Sequence, residues 1–134
     1  MNQVHADRAP QAIGPYSHAI RSGNLLFCSG QTPLDPQTMQ LVDGGIEEQT
    51  RAALVNLEHV LRAAGLTLAN VVKTSVFLKD MADFAGMNAA YAAAFGEHKP
   101  ARTTVSVRAN PLDARVEIEC IAEYPSNEAN PDAA

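Results

Sequence analysis

The chain has 134 residues, 46% of them hydrophobic and 19% charged, with a net charge of −5 and a pI near 5.2. That length suits one domain with its own core, and that composition excludes a disordered chain. Ten Lys and Arg scattered through an acidic chain argue against a nucleic-acid binder, which gathers its basic residues on one surface.

In chain order, residues 1–9 read as a loose arm. Residues 10–16, PQAIGPY, form a rigid extended entry with two prolines and a glycine. Residues 17–21 and 25–29 are predicted strands joined by the turn Ser22-Gly23-Asn24. A loop follows, with a type I turn at Asp35-Pro36-Gln37-Thr38. Residues 46–64 carry the helical spacing Ile46, Thr50, Ala53, Leu54, Leu57, Val60, Leu61 and Ala64, stopped by Gly65. Residues 71–79 are a strand with Val72, Thr74, Val76 and Leu78 on one face and Lys73, Ser75, Phe77 and Lys79 on the other. A second helix starts near Asp80, whose carboxylate is expected to cap the amide of Asp83. Its apolar stripe is Phe84, Met87, Tyr91, Ala94 and Phe95, and Gly96 ends it.

Residues 100–124, PARTTVSVRANPLDARVEIECIAEY, alternate as two strands about the turn-like Asn110-Pro111-Leu112-Asp113. Paired as a hairpin with their apolar faces together, they would put Arg102 on the same sheet face as Glu117 and Glu119. Residues 126–134 lack an apolar pattern and read as a frayed tail. The order β-β-α-β-α-β-β predicts an α+β domain, one mixed sheet with both helices on one side. The second sheet face would then carry Ser75, Phe77, Arg102 and Thr104. That mixture suits neither open solvent nor a sealed core, and a symmetric oligomer would cover it and create clefts at its seams. The polar N-terminus shows no signal peptide, and the longest apolar run, residues 89–95, is too short for a bilayer, so a cytoplasmic protein is expected.

The chemistry is narrowed first by absences. His5, His18, His59 and His98 have no metal-ligand spacing and read as ordinary surface or helix residues. There is no Gly-x-Ser-x-Gly elbow, phosphate-cradling loop or GxGxxG. Cys28 and Cys120 are expected to be buried free thiols in a reducing compartment. What remains is Arg102, whose planar fork matches a carboxylate in two parallel hydrogen bonds, with the two acids near it. Arg102 either anchors a small organic acid or pairs across the sheet with a glutamate, and both acids could equally be solvated. Ser29-Gly30-Gln31 closes a strand and leaves backbone donors for a ligand, unless it is an ordinary strand end. Tyr16 follows a rigid Gly-Pro step and Asn88 lies one turn from Tyr91; each is either a pocket residue or a packing or surface residue.

At these residues the sequence resembles the RidA (YjgF) family of enamine/imine deaminases. The matching segments are APQAIGPYSHAI, SGQTPLDPQT, AAGL followed by VVKTSVFLKDMADFAGMNAAYAAAF, and PARTTV followed by VEIECIAE, from about Ala9 to Glu123. The resemblance implies a single chorismate-mutase-like domain over residues 1–134, assembled as a homotrimer with three clefts between subunits. It implies hydrolysis of reactive imines such as 2-iminopropanoate and 2-iminobutanoate, released by pyridoxal-phosphate enzymes, to 2-oxo acids and ammonia. It implies no cofactor, no metal, no nucleic acid and no membrane. Carried over by position, Arg102 is the substrate-carboxylate arginine and Glu117 the acid that holds or activates water. Glu119 is the neighbouring acid, and Tyr16, Ser29, Gly30, Asn88 and Thr104 match pocket positions. Thr103-Thr104 stands where many members have Ser-Cys, and Asn110-Pro111 where they have Leu-Pro; the first change bears on substrate preference. A ligand-sensing trimer, a pathway-specific deaminase of the aminomuconate type and RNA cleavage are the alternatives.

Overall fold

The computed structural model describes residues 1–126. Residues 127–134, most of the expected frayed tail, lie outside them. Six strands, β1 (Asn2–Val4), β2 (Ala19–Ser22), β3 (Leu25–Gln31), β4 (Val71–Leu78), β5 (Ala101–Ser106) and β6 (Val116–Glu123), form one sheet in the order β1-β2-β3-β6-β4-β5. Two helices, α1 (Ile46–Ala63) and α2 (Phe84–Phe95), pack against each other, and α1 also packs on β3 and β6. The mixed sheet with two helices is the α+β architecture predicted.

The hydrophobic core lies between helices and sheet. Ala53, Leu54, Leu57, Val60 and Leu61 of α1 and Met87, Tyr91 and Phe95 of α2 meet Leu26, Val76, Leu78, Val116, Ile118 and Ala122 of the strands. A fully buried Leu contributes about 1.5–3 kcal/mol relative to an exposed one, so this seam dominates stability. Start signals are local. The Glu48 carboxylate reaches back to the Gly45 amide at 2.9 Å. Backbone hydrogen bonds hold its carboxyl below the usual range. Asp80 caps the short 3-10 turn Met81–Asp83, but through the Ala82 amide at 2.9 Å rather than that of Asp83. In α2, Ala90 is buried and Ala94 exposed, and Phe84 is partly exposed, so the apolar stripe is narrower than predicted.

Four expectations change. Residues 1–9 are not a loose arm: β1 pairs antiparallel with β2, and Ala6 and Ala9 are buried. His18 fixes this segment. Its Nδ1 accepts from the Ala6 amide at 3.0 Å, and Nε2 lies 2.8 Å from the Pro10 carbonyl oxygen. It is therefore a buried structural histidine, not a surface one. Val72 is exposed because the β4–β6 register shifts between Val71 and Lys73, which turns Val71 inward instead.

The fourth change matters most. β5 and β6 do not form a hairpin. β4 lies between them, parallel to β5 and antiparallel to β6. A parallel pair needs a crossover, and α2 supplies it between β4 and β5. The chain then returns across the end of β4. There Val107 donates to the Leu78 carbonyl at 2.8 Å, and the buried Asn110 amide donates to Phe77 and Ala114 carbonyls at 3.1 and 3.2 Å. The apparent hairpin turn is a connection passing over a strand.

Helix packing also rests on one small residue. A methyl at Gly86 of α2 would lie 2.6 Å from Ile46 Cγ2 at the start of α1. An exposed helical Gly→Ala change gains roughly 1 kcal/mol, whereas overpacking costs about 1–3 kcal/mol. Gly86→Ala is therefore expected to lower stability in denaturant titration, and Ile46→Ala in the same chain to recover part of the loss. A stabilised Gly86→Ala single variant would show that the helices separate freely there.

Candidate active site

The strand order decides where each predicted site residue points. Cross-strand partners share a sheet face. Arg102 is aligned with the buried Thr74, and Thr104 with the buried Val76. Glu117 is aligned with Phe77 and Glu119 with Ser75, which lie on the opposite face. Arg102 therefore does not share a face with Glu117 and Glu119. It points to the helix side, and the acids point to the open side. The open face carries Thr103 and Val105 of β5 instead of Arg102 and Thr104. The hairpin assumption fails because a strand inserted between two others resets which residues align.

The helix-side cleft has a volume of about 500 Å³ and is lined by Asn88, Tyr91, Phe95, Pro100 and Arg102, among others. Arg102 is half-buried at the sheet edge. Its guanidinium carbon sits 4.8 Å from the centroid of the Tyr91 ring and 5.7 Å from that of Phe84. Among the described residues no carboxylate lies within ion-pair distance of it, so the cross-strand pairing considered from sequence does not form. Two buried side-chain oxygens in the same region, Asn88 Oδ1 and Thr104 Oγ1, have no hydrogen-bond partner among the described residues. Buried polar groups are normally satisfied, so a fork of donors in a cleft shared with the idle Asn88 oxygen suits a polar ligand.

The second basin, of about 480 Å³, lies where β3 and β6 meet the loops, and its lining includes Tyr16, Ser29, Gly30, Leu112 and Glu117. The β3–β6 register shifts between Cys28 and Gln31, and this bulge carries Ser29 and Gly30. Ser29 is spoken for: its amide donates to the His18 carbonyl at 2.9 Å and its hydroxyl to the Ser17 carbonyl at 2.6 Å. Gly30 has a steric reason. A Cβ there would lie 2.9 Å from Glu117 Cδ and 3.0 Å from its Oε2. Tyr16 is about half exposed on the rim, and Leu112 beside it has φ 56°. Burial first, and the neighbouring Glu119 charge second, push the Glu117 carboxyl above the ordinary carboxylate range. Glu119 itself is exposed and does not line this basin.

The single chain thus brings Asn88, Arg102 and Thr104 together on one side, and Tyr16, Ser29, Gly30 and Glu117 together on the other. It does not join the two groups. Sequence reasoning missed Thr74 and Tyr91 as neighbours of Arg102. Thr74 stood in a strand face that also accepts valine, and Tyr91 stood in an apolar helix stripe. Cys28 and Cys120 are cross-strand partners, both buried and free. Their mutual hydrogen bond and burial push the Cys120 thiol up, which makes it a poor nucleophile. Among the described residues there is no cluster of three or more His, Cys, Asp or Glu fit for a metal, and no helix is long and apolar enough to cross a membrane.

Comparison with known proteins matches residues 6–124 to the family described as Endoribonuclease L-PSP. A RutC family protein of Pyrococcus horikoshii is 52% identical over 119 residues, 89% of this chain and 94% of that protein. The 2-iminobutanoate/2-iminopropanoate deaminase of Mus musculus is 47% identical over 119 residues, covering 89% of this chain and 88% of the mouse protein. The crystal structure of E. coli TdcF with bound serine superimposes with a TM-score of 0.89 at 38% identity, covering 93% of this chain and all of that one.

The raised carboxyl can be read directly. By carbon-13 NMR, Glu117 is expected to titrate above the ordinary carboxylate range. Glu119→Gln should move that midpoint down, because it removes a neighbouring negative charge, yet leave it elevated, because burial is the larger cause. A midpoint that rises or stays fixed in Glu119→Gln would contradict this electrostatic assignment.

Proposed function

Because the chain belongs to the YjgF/RidA family, we propose that it is an enamine/imine deaminase, hydrolysing 2-imino acids such as 2-iminopropanoate and 2-iminobutanoate to 2-oxo acids and ammonia. The observation that carries this reading is Arg102: a half-buried guanidinium without a carboxylate partner among the described residues, in a cleft that Asn88, whose buried Oδ1 has no hydrogen-bond partner among them, also lines. A group of that kind is suited to hold a small carboxylate in two charge-assisted hydrogen bonds. A relative named as a 2-iminobutanoate/2-iminopropanoate deaminase, another named as a reactive intermediate deaminase, and a relative holding serine, itself a small 2-amino acid, agree with that ligand class.

The reaction is attack of water on a C=N carbon next to a carboxylate. In this reading Arg102 fixes the carboxylate and hence the adjacent imine carbon. Glu117 takes a proton from the attacking water; its raised basicity makes it a better acceptor once ionised. That proton passes to the nitrogen, giving a carbinolamine; Glu117 then takes the hydroxyl proton as the C=O bond forms and the C–N bond breaks, and the same proton goes to the nitrogen, which leaves as ammonia. Gly30 keeps the Glu117 carboxylate free of a side chain, and Tyr16 borders the same basin. Glu119 acts through its charge on Glu117 rather than by contact.

Arg102 and Glu117 lie on opposite sheet faces of one chain, so the reading requires a second copy to complete the site. The open sheet face supports one. Leu25, Phe27 and Val105 are each more than a third exposed there, with the half-buried Phe77 between. Packing these faces in a homotrimer would bury them and could set the Arg102 cleft of one subunit before the Glu117 basin of the next. The endoribonuclease description of the family suggests a second activity. Phosphate-backbone binding by a chain of net charge −5 lacks the basic surface it needs, and a salt titration of RNA binding tests it.

Arg102→Lys keeps the charge and loses the fork, so it should raise KM for 2-iminopropanoate by about tenfold or more, given roughly 1.5–3 kcal/mol for a charged hydrogen bond. Wild-type turnover by Arg102→Ala would end the carboxylate-clamp reading. Light scattering should give three times the 14.3 kDa chain mass. Mixing inactive Arg102→Ala and Glu117→Gln chains under exchange should restore part of the activity, since some seams would pair two intact halves. No recovery despite demonstrated exchange would place both residues of each site on one chain.

A further inference from the structure

Thr74 poses a question that the proposed chemistry leaves open. It is fully buried in the helix-facing side of β4, among Val76, Leu78 and Ile118, where valine would pack as well. Its hydroxyl lies 2.7 Å from the Tyr91 hydroxyl, a buried bond linking sheet to α2. A buried polar pair adds little stability over two apolar side chains of the same shape, so stability alone gives a weak reason for it. Its position gives a better one. Thr74 is the register partner of Arg102 on the adjacent strand, and the Arg102 guanidinium lies over the ring that Thr74 holds.

Three residues from three elements thus form a closed triangle. Backbone pairing sets Thr74 beside Arg102; the hydroxyl bond sets Tyr91 on Thr74; the ring sets the guanidinium. A guanidinium that lies over a ring can keep N–H donors free for a ligand, since the cation–π contact uses none of its hydrogen bonds. Burial raises the Tyr91 hydroxyl above its ordinary range, so it stays neutral and keeps its bond to Thr74. A flexible arginine at a sheet edge would otherwise lose side-chain freedom on each binding event. The geometry points to Tyr91 as a positioning residue that holds the Arg102 fork ready for a carboxylate, with Thr74 as its anchor. This rests on the reading of Arg102 as the carboxylate clamp.

The test separates ring from hydroxyl. Tyr91→Leu removes the platform; Tyr91→Phe and Thr74→Val keep the ring and remove the anchor. The first readout needs no catalysis: the Arg102 Nε–H resonance in nitrogen-15 spectra, assigned by its loss in Arg102→Lys. It should be ring-shifted in the native protein, move toward the free-arginine position in Tyr91→Leu, and move less in the other two. The second is calorimetric affinity for 2-oxobutanoate, and the third is the split between KM and kcat on 2-iminopropanoate. Tyr91→Leu should weaken affinity and raise KM by about 3- to 30-fold, the range of a partly desolvated cation–π contact, with kcat nearly unchanged. Tyr91→Phe should recover most of that loss. An unmoved Arg102 resonance in Tyr91→Leu, or native affinity and KM in that variant, would overturn the proposal. Should Tyr91→Leu fail to fold, the same signal and KM shifts in Tyr91→Phe and Thr74→Val, smaller but together, decide it; their absence overturns it. A failure of the deaminase reading is distinguishable: native protein would not turn over the imine, while the Arg102 resonance would still respond to Tyr91.

Discussion

The placement of β4 between β5 and β6 is the constraint from which the rest follows. A strand has two faces, and its neighbours inherit the same division through register. With β4 in the middle, Arg102 aligns with Thr74 on the helix side, and Glu117 aligns with Phe77 on the open side. No rotamer of either side chain can cross the sheet. The proposed chemistry is therefore divided between two surfaces, and the proposal makes assembly a requirement of the site.

Each half is built by different means. The Arg102 half uses packed regular structure: an edge strand, a helix and a buried hydroxyl bond between them. That arrangement suits a binding group, whose direction matters more than its charge. The Glu117 half uses irregular backbone: a bulge at Ser29 and Gly30, the His18-anchored entry segment and the residues around Leu112. Irregular backbone allows a carboxylate to be half-buried without being enclosed, and this is what raises its basicity. Gly30 connects the two requirements, since any side chain there would displace the acid.

The same economy appears in the buried polar side chains that hold loops. Asn56 of α1 donates to the carbonyls of Thr32 and Leu34 at 3.1 and 2.8 Å, and Gln49 accepts from the Arg115 amide at 2.9 Å. Asn110 clips the return connection to the end of β4. These residues satisfy backbone groups that no strand reaches, so the loops bordering the Glu117 basin are fixed without a large core of their own.

The sequence by itself determined both helices, five of the six strands and the family. The α1 spacing, the strand alternations, the glycine stops and the ordered motifs from residue 9 to residue 123 were all local patterns, and local patterns follow from backbone geometry that each residue carries with it. It also singled out Arg102 and Glu117 as candidates, through the resemblance more than through their spacing. Only the tertiary structure decided that β4 separates β5 from β6, that residues 2–4 form an edge strand, that His18 is buried, and that Tyr91 and Thr74 lie beside Arg102. Those facts depend on which distant segments lie side by side. Alternation along a strand says that two faces exist, but the neighbours a strand meets decide what each face becomes.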